Sequence, residues 1–110
     1  MSRPFDPLKK LYIDDLRRPP DLTWDLAKST SDAMDYVLLN GCPDMISFDY
    51  YLGGGQTIQP FVLWLIDEDK RQNGQLMPAD FRFESHSSSP AGTAWINLML
   101  GQYLLNRRRR

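Results

Sequence analysis

The chain has 110 residues, enough for one domain, and its 42% hydrophobic and 25% charged residues are an ordinary globular balance. Its net charge is −1, but residues 107–110 are all arginine, which leaves nine basic against 14 acidic residues elsewhere and argues against a broad phosphate-tracking nucleic-acid surface outside that tail. The single cysteine, Cys42, excludes an internal disulfide and a cysteine-based zinc site, and no apolar run reaches a membrane span, so a cytosolic (cytoplasmic) protein is expected.

Residues 9–15, KKLYIDD, form a short apolar strand stopped by two aspartates. The RRPP that follows cannot continue as a helix, because a residue before proline is pushed out of the α region. Residues 22–29, LTWDLAKS, place Leu22, Trp24 and Leu26 in alternation and predict a half-buried second strand. STSDAMDYVLLNG has a Ser/Thr cap, an apolar face at Ala33, Tyr36, Val37 and Leu39 or Asn40, and a stop at Gly41, so it predicts a helix. MISFD is apolar on both faces and predicts a central third strand.

IQPFVLWLIDEDKRQNG reads as a second helix, with Pro60 in its first turn, Trp64 and Leu65 on its buried face and Asn73-Gly74 at its end. Residues 79–85, ADFRFES, alternate as a fourth strand with Phe81 and Phe83 on one side. After the loop HSSSPAG, TAWINLMLGQYLLNRRRR predicts a final helix that turns Trp95, Leu98, Met99 and Leu105 toward the sheet and frays into a basic tail over residues 106–110. Strands alternating with helices favour a parallel sheet in a single α/β domain over residues 1–110. Residues 16–23 are short for a parallel crossover, so the first two strands either pair unusually or enclose a short turn of helix.

Three loops follow the carboxyl ends of strands, the end at which open α/β sheets bind ligands. They carry Asp14 and Asp15; Asp49, Tyr50 and Tyr51; and His86 with Ser87, Ser88 and Ser89. These residues are expected to meet in one crevice. Clustered carboxylates repel unless a cation or shared protons intervene, and hard oxygen ligands suit Mg²⁺ or Mn²⁺. His86 can serve as acid or base near neutral pH, and the serine loop offers hydroxyls and helix N–H groups to a phosphate. Arg17 is a candidate anion contact. Plainer roles are open as well: Asp15 as a turn cap, Gly53 to Gly55 as a mobile loop, Trp24, Trp64 and Trp95 as core, Cys42 as inert.

The ordered set LYIDDLRRPP, Trp24, GCPDMISFD..LG, WL and HS..P.G resembles the cyclic-phosphate processing receiver-like domains over about residues 11–103. The resemblance implies a small receiver/flavodoxin-like three-layer fold, with about four mostly parallel strands and three main helices. It implies a metal-dependent phosphoesterase that processes a small cyclic phosphate or nucleotide-derived phosphate. Mg²⁺ or Mn²⁺ would sit among Asp14, Asp15 and Asp49, with a backbone carbonyl at Tyr51. His86 and Ser87 match the family's His-Ser after the last strand. From the residues themselves, His86 and Asp49 are the catalytic candidates, Ser87, Ser88, Ser89 and Arg17 candidate phosphate contacts, and Tyr50 and Tyr51 candidate stacking surfaces for a substrate.

Where the family carries Asp-His-Asp after the third strand, this chain has Asp49-Tyr50-Tyr51. That leaves an alternative: a non-catalytic nucleotide or cyclic-phosphate binder, or a protein-interaction module. A phospho-acceptor receiver would need a Lys after a fifth strand, and no Lys follows Asp80.

Overall fold

The computed structural model describes residues 8–107. In chain order it has β1 (Lys10–Ile13), β2 (Trp24–Ala27), α1 (Thr30–Asn40), β3 (Met45–Phe48), α2 (Gln59–Arg71), β4 (Arg82–Ser85) and α3 (Pro90–Arg107). The strands form one parallel sheet in the order β2-β1-β3-β4, a receiver-like α/β arrangement. The two most apolar strands, β1 and β3, lie in the middle, where both flanks are paired.

The β1–β2 connection resolves the crossover question in an unexpected way. The two strands are parallel neighbours, yet residues 14–23 contain no helix. Length permits this: a four-residue strand is about 13 Å long, and ten extended residues reach roughly 35 Å. The strap is stiffened by its prolines and by Asp21, whose carboxylate accepts the Thr23 N–H at 2.8 Å.

Alternation along the strands separates two faces. Leu11, Ile13, Ala27, Ile46 and Phe48 point to one side and join a single hydrophobic cluster. Ala33 and Val37 of α1, Phe61 and Leu65 of α2, and Ile96 and Leu100 of α3 complete it. Each fully buried Leu, Ile or Phe contributes about 1.5–3 kcal/mol through lost apolar exposure. All three helices enter this one cluster. Among the described residues, therefore, no helix covers the second face, where a three-layer fold would place one.

The structure corrects three expectations from the sequence. Leu22 and Leu26 are exposed, and the residue that β2 sends to the core is Ala27. Trp24 stands outside the core cluster, edge-on to Tyr12 at 5.9 Å, with the Lys10 amine 4.7 Å from its ring centre. In α3 the buried positions are Gly92, Ile96 and Leu100, spaced four apart, with Trp95 and Met99 on the flank. Leu98 and Leu105 fall off that stripe and are more than half exposed. The fourth strand also starts later than expected, at Arg82, although Phe81 and Phe83 do stack on one side.

α1 has the ends its sequence predicts. The Ser29 hydroxyl accepts the Asp32 N–H at 3.0 Å, and Gly41 closes the helix with φ +82° and its N–H on the Val37 carbonyl. The end of α3 is less open than the basic tail suggested. Arg107 is the last described residue, with a side chain only 8% exposed. It donates to Asp69 Oδ2 at 3.2 Å and to the Met77 and Pro78 carbonyls at 3.0 and 2.9 Å. Asp69 is fully buried and also accepts from Tyr103 Oη and the Met77 N–H. Residues 108–110, the rest of the expected tail, lie outside the described residues. No helix among the described residues is long and apolar enough to cross a membrane.

Candidate functional site

Asp14, Asp49 and His86 each sit immediately past a strand, after β1, β3 and β4. Their backbone N–H groups continue the ladders, bonding to Ala27, Ile13 and Phe48 carbonyls at 3.0, 3.0 and 2.9 Å. The three side chains therefore leave the sheet from positions fixed by main-chain pairing. Ile13 and Phe48 face the helices, so the residue after each turns to the opposite face. One ligand atom from each of Asp14, Asp49 and His86 lies within 4.8 Å of the others.

The two acids have opposite surroundings. Asp14 is 1% exposed, and its Oδ1 accepts the Leu16 and Arg17 N–H groups at 2.8 and 2.9 Å. Its Oδ2 lies 2.9 Å from His86 Nε2 and 3.6 Å from Arg17 Nε. Burial works to raise its carboxyl, but the two backbone bonds and His86 outweigh it and hold Asp14 below the ordinary range. Asp49 is also buried and accepts the Tyr50 N–H at 2.8 Å. There burial, then the charge of Asp14, push the carboxyl above its ordinary range. Two acids driven apart in this way can take different parts in proton chemistry.

Below this row lies a second one that the sequence reading missed. Tyr12, Ser47 and Glu84 are partners across β1, β3 and β4, each two residues before a member of the first row. Ser47 is fully buried; its Oγ lies 2.8 Å from His86 Nδ1 and donates to Glu84 Oε2 at 3.0 Å. The Tyr12 ring stacks flat on the imidazole, with centroids 4.2 Å apart and planes 4° from parallel. A signal was present: Ser47 is the one polar residue of MISF, and the same i, i+2 spacing recurs as Tyr12–Asp14, Ser47–Asp49 and Glu84–His86.

A cleft of about 280 Å³ opens over the first row, lined by Asp14, Asp15, Arg17, Asp49, Tyr51, Gly53, Ser87 and Ser88 among others. A larger hollow of about 430 Å³, lined by Phe81, Leu104 and Arg107, carries no comparable set of acid and imidazole groups. Arg17 is tied to the cleft by a bond from Nη1 to the His86 carbonyl at 3.1 Å.

The other residues singled out from the sequence divide. Asp15 stands at the rim, so close to Gly53 that a Cβ there would lie 2.6 Å from its Oδ2. Tyr51 lines the cleft and is 60% exposed. Tyr50 is committed to the fold: its hydroxyl bonds Gln59 Nε2 at 2.5 Å, and its ring base packs onto Gly92. Ser89 caps α3, its hydroxyl accepting the Gly92 N–H at 3.0 Å, while Ser87 and Ser88 border the cleft. Gly53, Gly54 and Gly55 all have positive φ and turn a tight hairpin, bridged from Tyr51 to Thr57 and closed by Leu52 N–H on the Gln56 carbonyl at 2.9 Å. Cys42 is half-buried against the core, and its loss of solvent pushes the thiol well up from the ordinary range.

A parallel sheet with acids at the ends of its two central strands, the second leading through a hairpin into α2, defines a receiver-like α/β domain. Within that class, the chain belongs to the cyclic-phosphate processing receiver domain family, whose model matches residues 9–102. Comparison with curated proteins and with solved structures returned no match.

Proposed function

We propose that this domain is a divalent-cation-dependent phosphoesterase that opens a small cyclic phosphate, such as one on a nucleotide or ADP-ribose. The observation that carries the reading is the grouping of Asp14, Asp49 and His86 ligand atoms within 4.8 Å, beside a cleft that also holds Arg17, Ser87 and Ser88. The family's description supports the substrate class.

The donor set fits a hard cation. Two buried carboxylates lie close together, and the Asp49 carboxyl is raised by its burial first and by the charge of Asp14 second, both of which a bound cation would offset. Asp14 and Asp49 would hold Mg²⁺ or Mn²⁺, with Asp15 at the rim. Such an ion supplies positive charge to the phosphate oxygens and a more acidic bound water. The protein's own groups do the rest. Arg17 neutralises and orients the phosphate, the Ser87 and Ser88 hydroxyls donate to its oxygens, and His86 gives or takes a proton at Nε2. Asp49, with its raised carboxyl, is the better of the two acids for accepting a proton.

The experiment is a panel of 2′,3′-cyclic nucleotides and ADP-ribose cyclic phosphate with Mn²⁺, followed by phosphorus NMR. Ring opening by the wild type that is lost in His86→Ala supports the reading; no turnover on any member of the panel sinks it. The exposed Tyr51 ring on the cleft wall favours one second reading, a nucleotide binder that stacks the base and does not cleave. Calorimetry that shows binding while product never forms would select it.

A further inference from the structure

The imidazole of His86 is gripped on three sides. Tyr12 lies flat beneath it, Asp14 meets Nε2 at 2.9 Å, and Ser47 Oγ meets Nδ1 at 2.8 Å. These contacts are not equivalent. Stacking fixes the plane of the ring but not which edge points where, because a half-turn about the Cβ–Cγ bond leaves the plane unchanged. Asp14 does select an edge, but Asp14 also borders the cleft and is a group that any bound ligand would engage. Ser47 is different: it is fully buried within β3 and absent from the cleft wall. Its contact with Nδ1 persists whatever the cleft contains.

A serine hydroxyl alone is a loose anchor, since it can rotate to donate or accept. Here its proton has a destination. Ser47 donates to Glu84 Oε2 at 3.0 Å, so its oxygen is left to accept from the ring nitrogen. Glu84 sits directly across from Ser47 in the β3–β4 register, so main-chain pairing sets the alignment. The result is a chain from Glu84 through Ser47 to His86 and Asp14, in which each hydroxyl or ring edge has one assigned neighbour. Metal- and proton-handling histidines commonly have their second nitrogen held this way by an outer partner.

We propose that Ser47 and Glu84 are positioning residues that fix the edge of the His86 ring, so that Nε2 is the nitrogen presented to Asp14 and the cleft. The effect on rate rests on the phosphoesterase reading; the effect on the ring does not. His86 is the only histidine in the chain, so its ring nitrogens give one unambiguous pair of ¹⁵N resonances.

The test is a long-range ¹H–¹⁵N spectrum of the full-length labelled protein at fixed pH, for the wild type, Ser47→Ala, Glu84→Ala and Glu84→Gln. Backbone spectra confirm that each variant is folded, and Glu84, being exposed, gives a substitution that spares the core. Ser47→Ala is expected to move the Nδ1 resonance strongly and to broaden the ring signals. Glu84→Ala should move Nδ1 in part, and Glu84→Gln, which keeps an acceptor oxygen, should return it toward the wild type. With an active substrate, Ser47→Ala should lower kcat about 10- to 100-fold with a smaller change in KM. Ring resonances that are the same in Ser47→Ala as in the wild type overturn the proposal. Shifted resonances with no turnover by any form, wild type included, uphold the positioning role and remove the phosphoesterase reading instead.

Discussion

Nε2 of His86 lies 2.9 Å from Oδ2 of Asp14, joining residues 72 positions apart at the ends of β4 and β1. Between them stands β3, which brings Asp49 to the same place. The Asp14 carboxylate is thus well supplied with donors and Asp49 poorly so, and the two acids should respond to pH and substitution in opposite directions.

Asp14 has a depressed carboxyl in the folded protein, so it contributes stability above its ordinary value of 3.8, and that stability is lost as pH falls through the folded value. Asp14→Asn should cost about 1.5–3 kcal/mol at pH 7, as expected for a charged hydrogen-bond partner, and the loss should shrink in acid. Asp49 has the opposite sign. Its carboxyl is raised, so the folded state is penalised as pH climbs through and above 3.8, and the penalty is complete above the raised value. Asp49→Asn should therefore stabilise the metal-free protein at pH 7. Urea melts at pH 7 and at a pH well below 3.8 measure both effects.

Mn²⁺ should reverse that ranking. At 100 times its Kd a cation bound only to the folded state adds about 2.7 kcal/mol. The wild-type Tm should rise with Mn²⁺ while that of Asp49→Asn barely moves, so the two melting curves cross as metal is added. Parallel curves would argue against Asp49 as a ligand.

Gly92 of α3 tests how the helix seats the site. A Cβ there would stand 2.4 Å from Tyr50 Cγ and 2.7 Å from its Cβ, atoms near the root of the side chain that cannot swing aside. Gly92→Ala should cost about 1–3 kcal/mol in a denaturant titration. Since Tyr50 adjoins Asp49, the same variant should weaken Mn²⁺ binding, whereas Gly101→Ala, with open space around it, should do neither.

Arg107 and Asp69 form the tie at the end of α3. Arg107→Ala leaves a buried carboxylate short of its cation and should cost about 3–5 kcal/mol. Burial works to raise the Asp69 carboxyl, but its bonds to Tyr103, Met77 N–H and Arg107 hold it below the ordinary range. Its stabilisation is present above that range and fades as pH falls through the folded value. Thermal melts of Arg107→Ala would show the loss as a fall in Tm.

Gly53 has φ +81°, and a side chain would also strike Asp15 Oδ2 at 2.6 Å; Gly54 and Gly55 share the positive φ but face open space. Gly54→Ala and Gly55→Ala should each cost about 1–2 kcal/mol from backbone strain alone. Gly53→Ala should cost more and displace Asp15, which can be read as a larger fall in Tm and a weaker response to Mn²⁺.

Much of the fold was legible because its signals are local. Ser29 and Gly41 bracket α1, Pro60 opens α2, and the apolar run of β3 marks a central strand. The errors came where burial depends on what covers a face. Leu22, Leu26 and Trp24 alternate like core residues, but Leu22 falls in the turn before β2, and Leu26 and Trp24 lie on the side without a helix. In α3 a leucine-rich sequence offers more than one apolar side, so Leu98 and Leu105 read like core, and only packing in the shared cluster with α2 selects Ile96 and Leu100. In the site, the first row could be read from acids and a histidine after strands. Ser47, Tyr12 and Glu84 could not, because their roles depend on register between strands, which no single segment contains.

The absence of a helix between β1 and β2 has a consequence for how such a domain changes over time. Each central strand spells two messages in alternate letters: Leu11, Ile13, Ile46 and Phe48 address the hydrophobic cluster, while on the other face Asp14 and Asp49 reach the cleft and Tyr12 and Ser47 hold His86. The two messages share a backbone but face opposite sides of the sheet. The letters that decide what is recognised can be rewritten while those that hold the sheet together stay as they are, so a lineage can lose one chemistry and acquire another without passing through an unfolded intermediate.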